Sequence, residues 1–485
     1  MADRTSIGRA ERIERSLQWL ERYAPLLDDA AAFRAALDEP VPVDLLVLPG
    51  RITPDALAAG LVRRGLAVRR FPGAPYHVRV SGHEGAGRLP EVLLGFAYPQ
   101  GVSSAFGPQA LAPRPGERLL DMCAAPGGKT ILLDALAGGR APILAGEPSG
   151  GRTGILVQTL ARSGALGAIV VQQDGKGFPA VGPFDAILLD APCTGEGTFR
   201  VPSPRYDLRE EQGLEDAPRL QKRLLARALD ILSPGGRLVY STCAYSPEEN
   251  EAVLDAVLAE RDDVTIAELP ADVPGLPGVP EWRGTRFTAP VTRGRRMFPH
   301  HLGSWGFFVC LLHKDPASTR TARLRTKGPS ADGTPPAPPF VVATEDEAWR
   351  NVAEFLHESF GVAKDTWDDV ALVHRGRDDF GLLRAADAWE LGRLRLVVPG
   401  MRLVHRAGRG LQPTNAALRW LGARVREHVV DVTLDQAAVA LETGSVALDG
   451  VRDDPQVAVR VDGIVAAKGH VRGGALSLEI PAGWR

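Results

Sequence analysis

Short apolar segments alternate with helical ones through the middle of the chain, and this alternation constrains the fold more than any other feature. The first unit, 119–136 (LLDMCAAPGGKTILLDAL), reads as a strand, a glycine turn and a helix. Further apolar runs of strand length follow at 143–146, 168–172, 186–190 and 237–242. Helical patterns separate them, notably at 152–163 and 215–232. Strands that alternate with helices predict an α/β fold with a mostly parallel, doubly wound sheet.

The flanks of this sheet have a different character. Two apolar segments, 264–269 and 306–312, are expected to complete the sheet at one edge, and residues 8–37 read as two helices. The segment 315–340 is rich in Pro, Ser, Thr and Gly and predicts a linker. From about Pro413 onward, helices are followed by short strands that Gly and Asp separate, a pattern that suits a small barrel.

A chain of 485 residues is too long for one ordinary core, so several domains are expected. The predicted division is a helical and α+β N-terminal region at 1–108, the sheet domain at 109–314, the linker at 315–340, an intermediate domain at 341–412 and the small barrel at 413–485.

Composition narrows the class of protein. A hydrophobic share of 44% and a charged share of 24% are typical of folded protein. The formal net charge of -2 is not that of a nucleic-acid coating protein, so nucleic-acid contacts would depend on local patches. The four cysteines form no CxxC pair, and neither a signal segment nor a membrane-spanning run is evident. We therefore expect a cytoplasmic monomer without a metal site or a membrane contact.

A glycine turn follows the first strand of the sheet domain. Within Asp121–Thr130 (DMCAAPGGKT), Gly127 and Gly128 allow a tight turn before Lys129 enters a helix. Because ligands bind at the carboxyl ends of strands in such sheets, we expect the turn to approach a ligand; a turn used only for packing is the alternative. A P-loop would need glycine where Cys123 stands, which excludes nucleoside triphosphate binding.

Acidic residues stand at the ends of four successive predicted strands, namely Asp121, Glu147, Asp174 and Asp190. An acid in the position of Glu147 commonly bonds ribose hydroxyls, and Asp174 is placed to bond an adenine amine. A single acid of this kind is more often a helix cap or a turn residue. Four in series favour a nucleoside-containing cofactor.

Two cysteines lie just past strand ends in Pro/Gly turns. Cys193 stands in DAPCTGEG (190–197) and Cys243 in STCAYSPEEN (241–250). Most lone cysteines are small buried hydrophobes, and we assign that role to Cys310 and mostly to Cys123. Cys193 and Cys243 share the predicted edge of the glycine turn, so we expect them to form one site, with Lys129 as the cation that favours a thiolate. Their positions do not say which of them attacks.

Three motifs carry a family resemblance. In this order, DMCAAPGGKT, DAPCTGEG and YSTCAYSPEENE resemble the signatures of the RNA 5-methylcytosine methyltransferases of the Nol1/Nop2/Sun family, and Tyr98–Ser104 and Arg296–His300 match as well. The similarity extends from about residue 20 to residue 314. It implies a Rossmann-like methyltransferase domain, S-adenosylmethionine as cofactor, and methylation of carbon 5 of cytosine in RNA.

The resemblance also implies roles for individual residues. Cys243 would be the nucleophile, Cys193 would assist elimination, and Asp190 would contact the base; we add Lys129 to the catalytic set as the cation. The cofactor contacts would fall on Cys123, Ala124, Ala125, Pro126, Gly127, Gly128, Lys129, Glu147, Arg152, Asp174 and Asp190. A thiolate that adds to carbon 6 makes carbon 5 nucleophilic, which explains why the chemistry needs a cysteine.

The C-terminal part of the chain predicts the substrate. Residues 413–485 resemble the PUA-like part of the bacterial small-subunit members of this family, which implies 16S ribosomal RNA near the decoding region, or the small subunit itself, as partner. Transfer RNA, a non-catalytic ribosome-assembly role and DNA methylation are the alternatives. The family resemblance opposes the last, because DNA enzymes attack from the Pro-Cys motif and lack a cysteine like Cys243.

Two local basic clusters are candidates for binding phosphate. The first comprises Arg293, Arg295, Arg296, His300 and His301, and the second comprises Arg320, Arg323, Arg325 and Lys327. For the second cluster, a solvated charge run is an equally good interpretation.

Overall fold

The structure is a computed structural model. It describes residues 14, 17–40, 42–81, 85–165, 167–199, 211–320, 341–343, 347–367, 370–375, 379–383, 391–398, 400–408 and 410–481. Most of the predicted linker, including Arg323, Arg325 and Lys327, lies outside these ranges. Within them, no helix is both long enough and apolar enough to cross a membrane.

The N-terminal region forms a small antiparallel sheet with helices around it. Its elements are α1 Ala30–Asp38, β1 Val43–Val47, α2 Pro54–Arg63, β2 Ala67–Arg70, β3 His77–Ser81, α3 Pro90–Leu93, β4 Ala97–Pro99 and α4 Phe106–Leu111. The sheet order is β2-β3-β1-β4. The side chain of Asp29 caps α1 and that of Thr53 caps α2, each by accepting a backbone N–H of the first turn.

The sheet domain follows. Its elements are β5 Leu119–Asp121, α5 Gly128–Leu136, β6 Ile143–Gly146, α6 Gly150–Ser163, β7 Ala168–Val171, β8 Phe184–Asp190, α7 Glu211–Ile231, β9 Leu232–Thr242, α8 Glu251–Leu258, β10 Val264–Ala267, β11 Leu276–Pro277, β12 Glu281–Trp282, β13 Thr285–Arg286, β14 Arg295–Met297, α9 Pro299–Leu302 and β15 Phe307–Lys314. Strands β7, β6, β5, β8 and β9 are neighbours in that order and are parallel. The doubly wound α/β prediction is confirmed.

Beyond the predicted linker the chain forms two further sheets. The elements are β16 Val341–Ala343, α10 Glu347–Phe360, β17 Ala371–Arg375, β18 Asp379–Leu383, β19 Leu396–Val398, β20 Met401–Ala407, β21 Gly410–Pro413, α11 Asn415–Leu421, β22 Val429–Val432, α12 Leu434–Thr443, β23 Val446–Ala447, β24 Asp454–Val461, β25 Ile464–Arg472 and β26 Ala475–Leu478. The last sheet runs β22-β24-β25-β26-β23, and its end strands do not pair among the described residues. A closed PUA-like barrel therefore stays a prediction.

The edges of the large sheet differ from the expectation. β10 and β15 join the sheet as predicted, but β15 is not its edge, because β14 and β11 continue beyond it. At the opposite edge, β19 pairs with β7 in antiparallel fashion, so residues on both sides of the predicted linker share one sheet. β11, β14 and β19 have two or three residues each and no neighbouring turn motif to mark them, which is why the sequence did not reveal them.

One buried arginine joins three regions of the molecule. Arg419 of α11 is 4% exposed. Its guanidinium donates to the carbonyl oxygens of Ala466 at 2.5 Å, Arg162 at 2.9 Å and Leu93 at 3.1 Å. These acceptors belong to β25, α6 and α3. The C-terminal part is thereby fastened to both the sheet domain and the N-terminal region.

Candidate active site

Three neighbouring parallel strands deliver the candidate residues to one edge of the sheet. β5 ends at Asp121 and β8 ends at Asp190, while β9 leads directly into the turn that carries Cys243. Asp190 stands opposite Ser241 in the register of β8 and β9. Because all three strands run in the same direction, the residues that follow them meet at their carboxyl ends.

The two cysteines of the motifs lie in contact. The Sγ atoms of Cys193 and Cys243 are 3.2 Å apart, and both side chains are partly exposed. The hydrogen bond with Cys243, and then burial, raise the pKa of Cys193 well above its ordinary value. These two effects favour the neutral thiol form of Cys193. Cys310, as predicted, is a buried residue of β15.

A lysine and an aspartate border the thiol pair. Lys129 Nζ donates to Asp190 Oδ2 at 2.8 Å, and Ser241 Oγ donates to Asp190 Oδ1 at 2.8 Å. Burial lowers the pKa of Lys129, but the charges of Asp190 and Cys243 raise it by more, so the net pKa lies above the ordinary value. The ammonium group therefore keeps its charge beside the thiols. Sequence reasoning did not single out Ser241.

The glycine turn is tightly packed. Gly127 has a φ of +115°, and an added Cβ would lie 3.0 Å from side-chain atoms of Leu156 and Thr159 in α6. A Cβ on Gly128 would lie 2.7 Å from Gln100 and 2.8 Å from Tyr98. The backbone of the turn is thus held between α6 and the segment that contains Tyr98 and Gln100, and its approach to a ligand stays a prediction.

Asp121 leaves one acceptor without a partner at the start of this turn. Its side chain is 1% exposed, and Thr130 Oγ1 donates to Oδ2 at 2.7 Å, while no group among the described residues bonds Oδ1. Burial raises the pKa of Asp121 to about 7. A buried acceptor without a hydrogen bond costs free energy of folding. A donor group of a ligand that bonds Oδ1 would therefore be stabilised at this position.

The remaining predicted acids lie along the same edge. Glu147 is buried, accepts the N–H of Ser149 at 2.9 Å and pairs with Arg152 at 3.0 Å. Arg152 also donates to the carbonyl oxygen of Ala125 in the glycine turn, which links these predicted positions. Asp174 follows β7 and accepts the backbone N–H of Lys176 at 3.0 Å. Its side chain lies at the surface.

A buried glutamate that sequence reasoning missed ties the N-terminal segment to both cysteine motifs. Glu196, 1% exposed, accepts hydrogen bonds from Trp19 Nε1 at 2.9 Å, Tyr23 Oη at 2.7 Å and the N–H of Tyr245 at 3.3 Å. The next residue, Gly197, donates its N–H to the carbonyl oxygen of Cys243 at 2.8 Å. The only indication of Glu196 in the sequence was that the first cysteine motif contains an acidic residue.

Arg296 does not contribute to the phosphate site that the sequence predicted at the first basic cluster, and phosphate binding by the other members stays a prediction. Arg296 is 2% exposed and pairs with the buried carboxylate of Glu251, so it cannot reach a backbone phosphate. Arg293 pairs with Glu268 at 2.7 Å. Proximity in sequence had grouped side chains that the strand and the turn direct to different places.

The two histidines of that cluster meet Asp28, and the three side chains hold ligand-type atoms within 4.8 Å of one another. The N–H of Phe298 donates to His301 Nδ1 at 3.2 Å, so in the neutral ring the proton sits on Nε2 and points at Asp28. Despite burial, hydrogen bonds from His300 and His301 lower the pKa of Asp28. In that tautomer His301 Nε2 donates to Asp28, and His300 Nε2 also lies within hydrogen-bond distance of Asp28, at 2.8 Å.

The fold and the cleft define a Rossmann-like methyltransferase. A crystal structure described as a methyltransferase homologue from Pyrococcus horikoshii is 32% identical, with a TM-score of 0.55, and covers 64% of this chain and 100% of its own. The family described as 16S rRNA methyltransferase RsmB/F matches residues 108–313.

Two curated relatives identify the family. The chain is 32% identical to the tRNA (cytosine(49)-C(5))-methyltransferase of Pyrococcus abyssi over 61% of this chain and 95% of that protein. It is 30% identical to ribosomal RNA small subunit methyltransferase F of Shewanella loihica over 75% of this chain and 71% of that protein. The chain belongs to this family of RNA cytosine-C5 methyltransferases. It spans between 28% and 52% of the length of the eukaryotic ribosomal RNA members that it also matches.

Proposed function

We propose that the chain uses S-adenosylmethionine to methylate carbon 5 of a cytosine in RNA. The observation that carries the proposal is the pair of thiols 3.2 Å apart, beside Lys129 and Asp190, at the strand edge where the glycine turn stands. A protein that only binds RNA has no use for two adjacent thiols next to such a turn. This arrangement disfavours a non-catalytic assembly factor.

In the proposed reaction, Cys243 is the nucleophile. Its Sγ bonds to carbon 6 of the cytosine, which makes carbon 5 nucleophilic. Two features support Cys243 over its partner: the raised pKa of Cys193 disfavours its thiolate, and the charged Lys129 lies beside Cys243. Asp190 would face the ring edge near nitrogen 3, held in place by Lys129 and Ser241.

Cys193 serves the last step. The proton on carbon 5 must leave before the bond between Cys243 and carbon 6 can break, and a base close to that bond is needed. Carbon 5 is the neighbour of carbon 6, and Cys193 lies 3.2 Å from Cys243. After the proton of Cys193 has passed to solvent, the Cys193 thiolate takes the carbon 5 proton, the C5–C6 double bond forms again, and Cys243 leaves carbon 6 as a thiolate.

The residues of the cleft fit S-adenosylmethionine. Asp121 Oδ1 is a buried acceptor without a partner, and Glu147 and Asp174 offer further carboxylates along the same edge. The ligand has matching donors in its amino group, its ribose hydroxyls and its adenine amine. Ala125, Gly127 and Gly128 of the turn, with Cys123, Ala124, Pro126 and Arg152 around it, would enclose it. When bound, it supplies an electrophilic methyl group.

The activity is tested by transfer of a labelled methyl group to RNA. We expect Cys243→Ala to abolish both transfer and the covalent protein–RNA adduct, and Cys193→Ala to accumulate that adduct on denaturing gels. Cys310→Ala is the control, because Cys310 is buried in β15 away from the strand edge, and it should retain transfer. Full activity of Cys243→Ala would refute the mechanism.

The specific substrate in this proposal is 16S ribosomal RNA near the decoding region of the small subunit. The likeness to the Shewanella relative supports it, and transfer RNA is the alternative that the Pyrococcus abyssi relative favours. In either RNA the target base must leave its stack to reach the thiols. Bisulfite mapping of both RNAs in a deletion strain decides: loss of a methylcytosine in 16S RNA is expected, and loss only in transfer RNA would replace that assignment. A cytoplasmic location and a monomeric state remain predictions.

A further inference from the structure

Asn250, in the turn that follows Cys243, holds the chain on both sides of that cysteine. Its Oδ1 accepts a hydrogen bond from Thr242 Oγ1 at 2.6 Å, and its Nδ2 donates to the carbonyl oxygen of Ala244 at 3.0 Å. Thr242 and Ala244 are the residues directly before and after Cys243. The side chain of Asn250 is fully buried, so water does not compete for these bonds.

Glu249, the preceding residue, does the same for Cys193. Its carboxylate accepts from Thr194 N at 3.1 Å, Thr194 Oγ1 at 2.5 Å and Gln221 Nε2 at 2.8 Å. Gln221 Nε2 also donates to the carbonyl oxygen of Pro192 at 2.9 Å. Pro192 and Thr194 flank Cys193, so the carboxylate fixes one side directly and the other through Gln221.

The two clamps share one rigid support. Glu249 and Gln221 are fully buried, and Tyr240 Oη donates to the backbone carbonyl of Glu249 at 2.6 Å. Because Glu249 and Asn250 are consecutive, a single backbone turn sets where one cysteine loop stands relative to the other. The two Sγ atoms that these loops carry lie 3.2 Å apart.

We propose that Glu249 and Asn250 are positioning residues that hold the thiols of Cys193 and Cys243 in contact, Asn250 acting on the cysteine that attacks and Glu249 on the cysteine that assists release. The spacing itself stands on the structure, whereas the two named steps rest on the proposed function. Neither side chain needs to touch the RNA or the cofactor.

Two substitutions of similar size break each clamp in a defined way. Glu249→Met removes both acceptor oxygens, so the donors of Thr194 and Gln221 lose their partner. Asn250→Asp removes the N–H that bonds Ala244 and places a carboxylate against that carbonyl. Glu248→Met is the matched control, since Glu248 lies in the same turn but bonds Arg22, Ser246 and Trp282.

The spacing is tested on the full-length protein alone, without RNA or cofactor. The oxidant diamide takes two electrons and two protons from a thiol pair and leaves a disulfide, and the Cys193–Cys243 peptide is then followed by mass spectrometry. We expect rapid cross-linking in the parent protein, cross-linking slower by about tenfold or more in Glu249→Met and Asn250→Asp, and a rate within about twofold of the parent in Glu248→Met. Thr194→Val, which loses only a hydroxyl donor, provides a milder variant should Glu249→Met not fold.

The second measurement separates the two clamps. With RNA and cofactor, Asn250→Asp should form little covalent adduct, whereas Glu249→Met should form it and release it about tenfold more slowly. Variants that fold and cross-link as fast as the parent overturn the proposal. If the variants cross-link slowly but no protein, including the parent, forms the adduct, the positioning role stands and the proposed function is wrong.

Discussion

Asp121 shows how a single side chain at the strand edge links ligand binding to stability. Burial raises its pKa from 3.8 to about 7. Between these values the folded chain holds a proton that the unfolded chain has lost, so this contribution to stability is complete below pH 3.8 and is lost as pH rises through about 7. In the cofactor-free protein, we expect Asp121→Asn to remove a pH dependence of a few kcal/mol. Urea unfolding at several pH values from 4 to 8 measures it, and parallel curves for parent and variant would contradict it.

Single residues also mark where prediction from sequence ends. Lys129, Asp190, Cys193 and Cys243 could be predicted as one site because each follows a parallel strand, and such ends meet. Glu249 could not, because its function depends on Gln221, which arrives from α7 and has no signal in the motif. A short polar residue in a turn has many equally good local partners, so only the folded chain selects among them.

At the scale of elements, the strand, turn and helix from β5 to α5 depend on a conformation that few residues adopt. Gly127 has a φ of +115° and no room for a Cβ. We expect Gly127→Ala to cost about 1–3 kcal/mol of stability and to weaken S-adenosylmethionine binding by about tenfold or more, as measured by thermal unfolding and calorimetry. Gly151→Ala is the control: it lies in α6 with nothing within 4 Å of an added Cβ, so it should stabilise by up to about 1 kcal/mol. Equal effects of the two substitutions would contradict this account.

Most of the longer elements were predictable. β6, β7, β8, β9 and α6 carry enough residues for an apolar pattern, β5 is short but is marked by the glycine turn that follows it, and the structure places them within a few residues of the predicted bounds. β11, β14 and β19 have two or three residues each, and they are strands because a longer neighbour offers them an edge. Tertiary context decides such segments, so no local pattern reveals that β19 extends the sheet of a distant segment.

The whole molecule depends on contacts that look like ordinary surface charge in the sequence. An arginine in a short helix is usually exposed, yet Arg419 is buried and donates to carbonyl groups of β25, α6 and α3. Arg51 reinforces the same place by donating to the carbonyl oxygen of Ser163 at 2.8 Å, so two cations meet the negative end of α6. This arrangement holds the C-terminal part in one orientation relative to the catalytic edge.

Arg419→Met tests that arrangement. It keeps much of the buried stem but leaves three carbonyl groups without their donor, and each unpaired buried acceptor costs about 1–3 kcal/mol. We expect a loss of several kcal/mol and earlier proteolytic release of the C-terminal part, whereas exposed Arg426→Met should change stability by less than about 0.5 kcal/mol. Cross-linking of Cys193 with Cys243 by diamide should be unchanged in Arg419→Met, because the clamps at that site lie wholly within the sheet domain. If RNA methylation then falls while cross-linking persists, the C-terminal part acts by presenting RNA to an intact site; if both persist, its orientation has no bearing on catalysis.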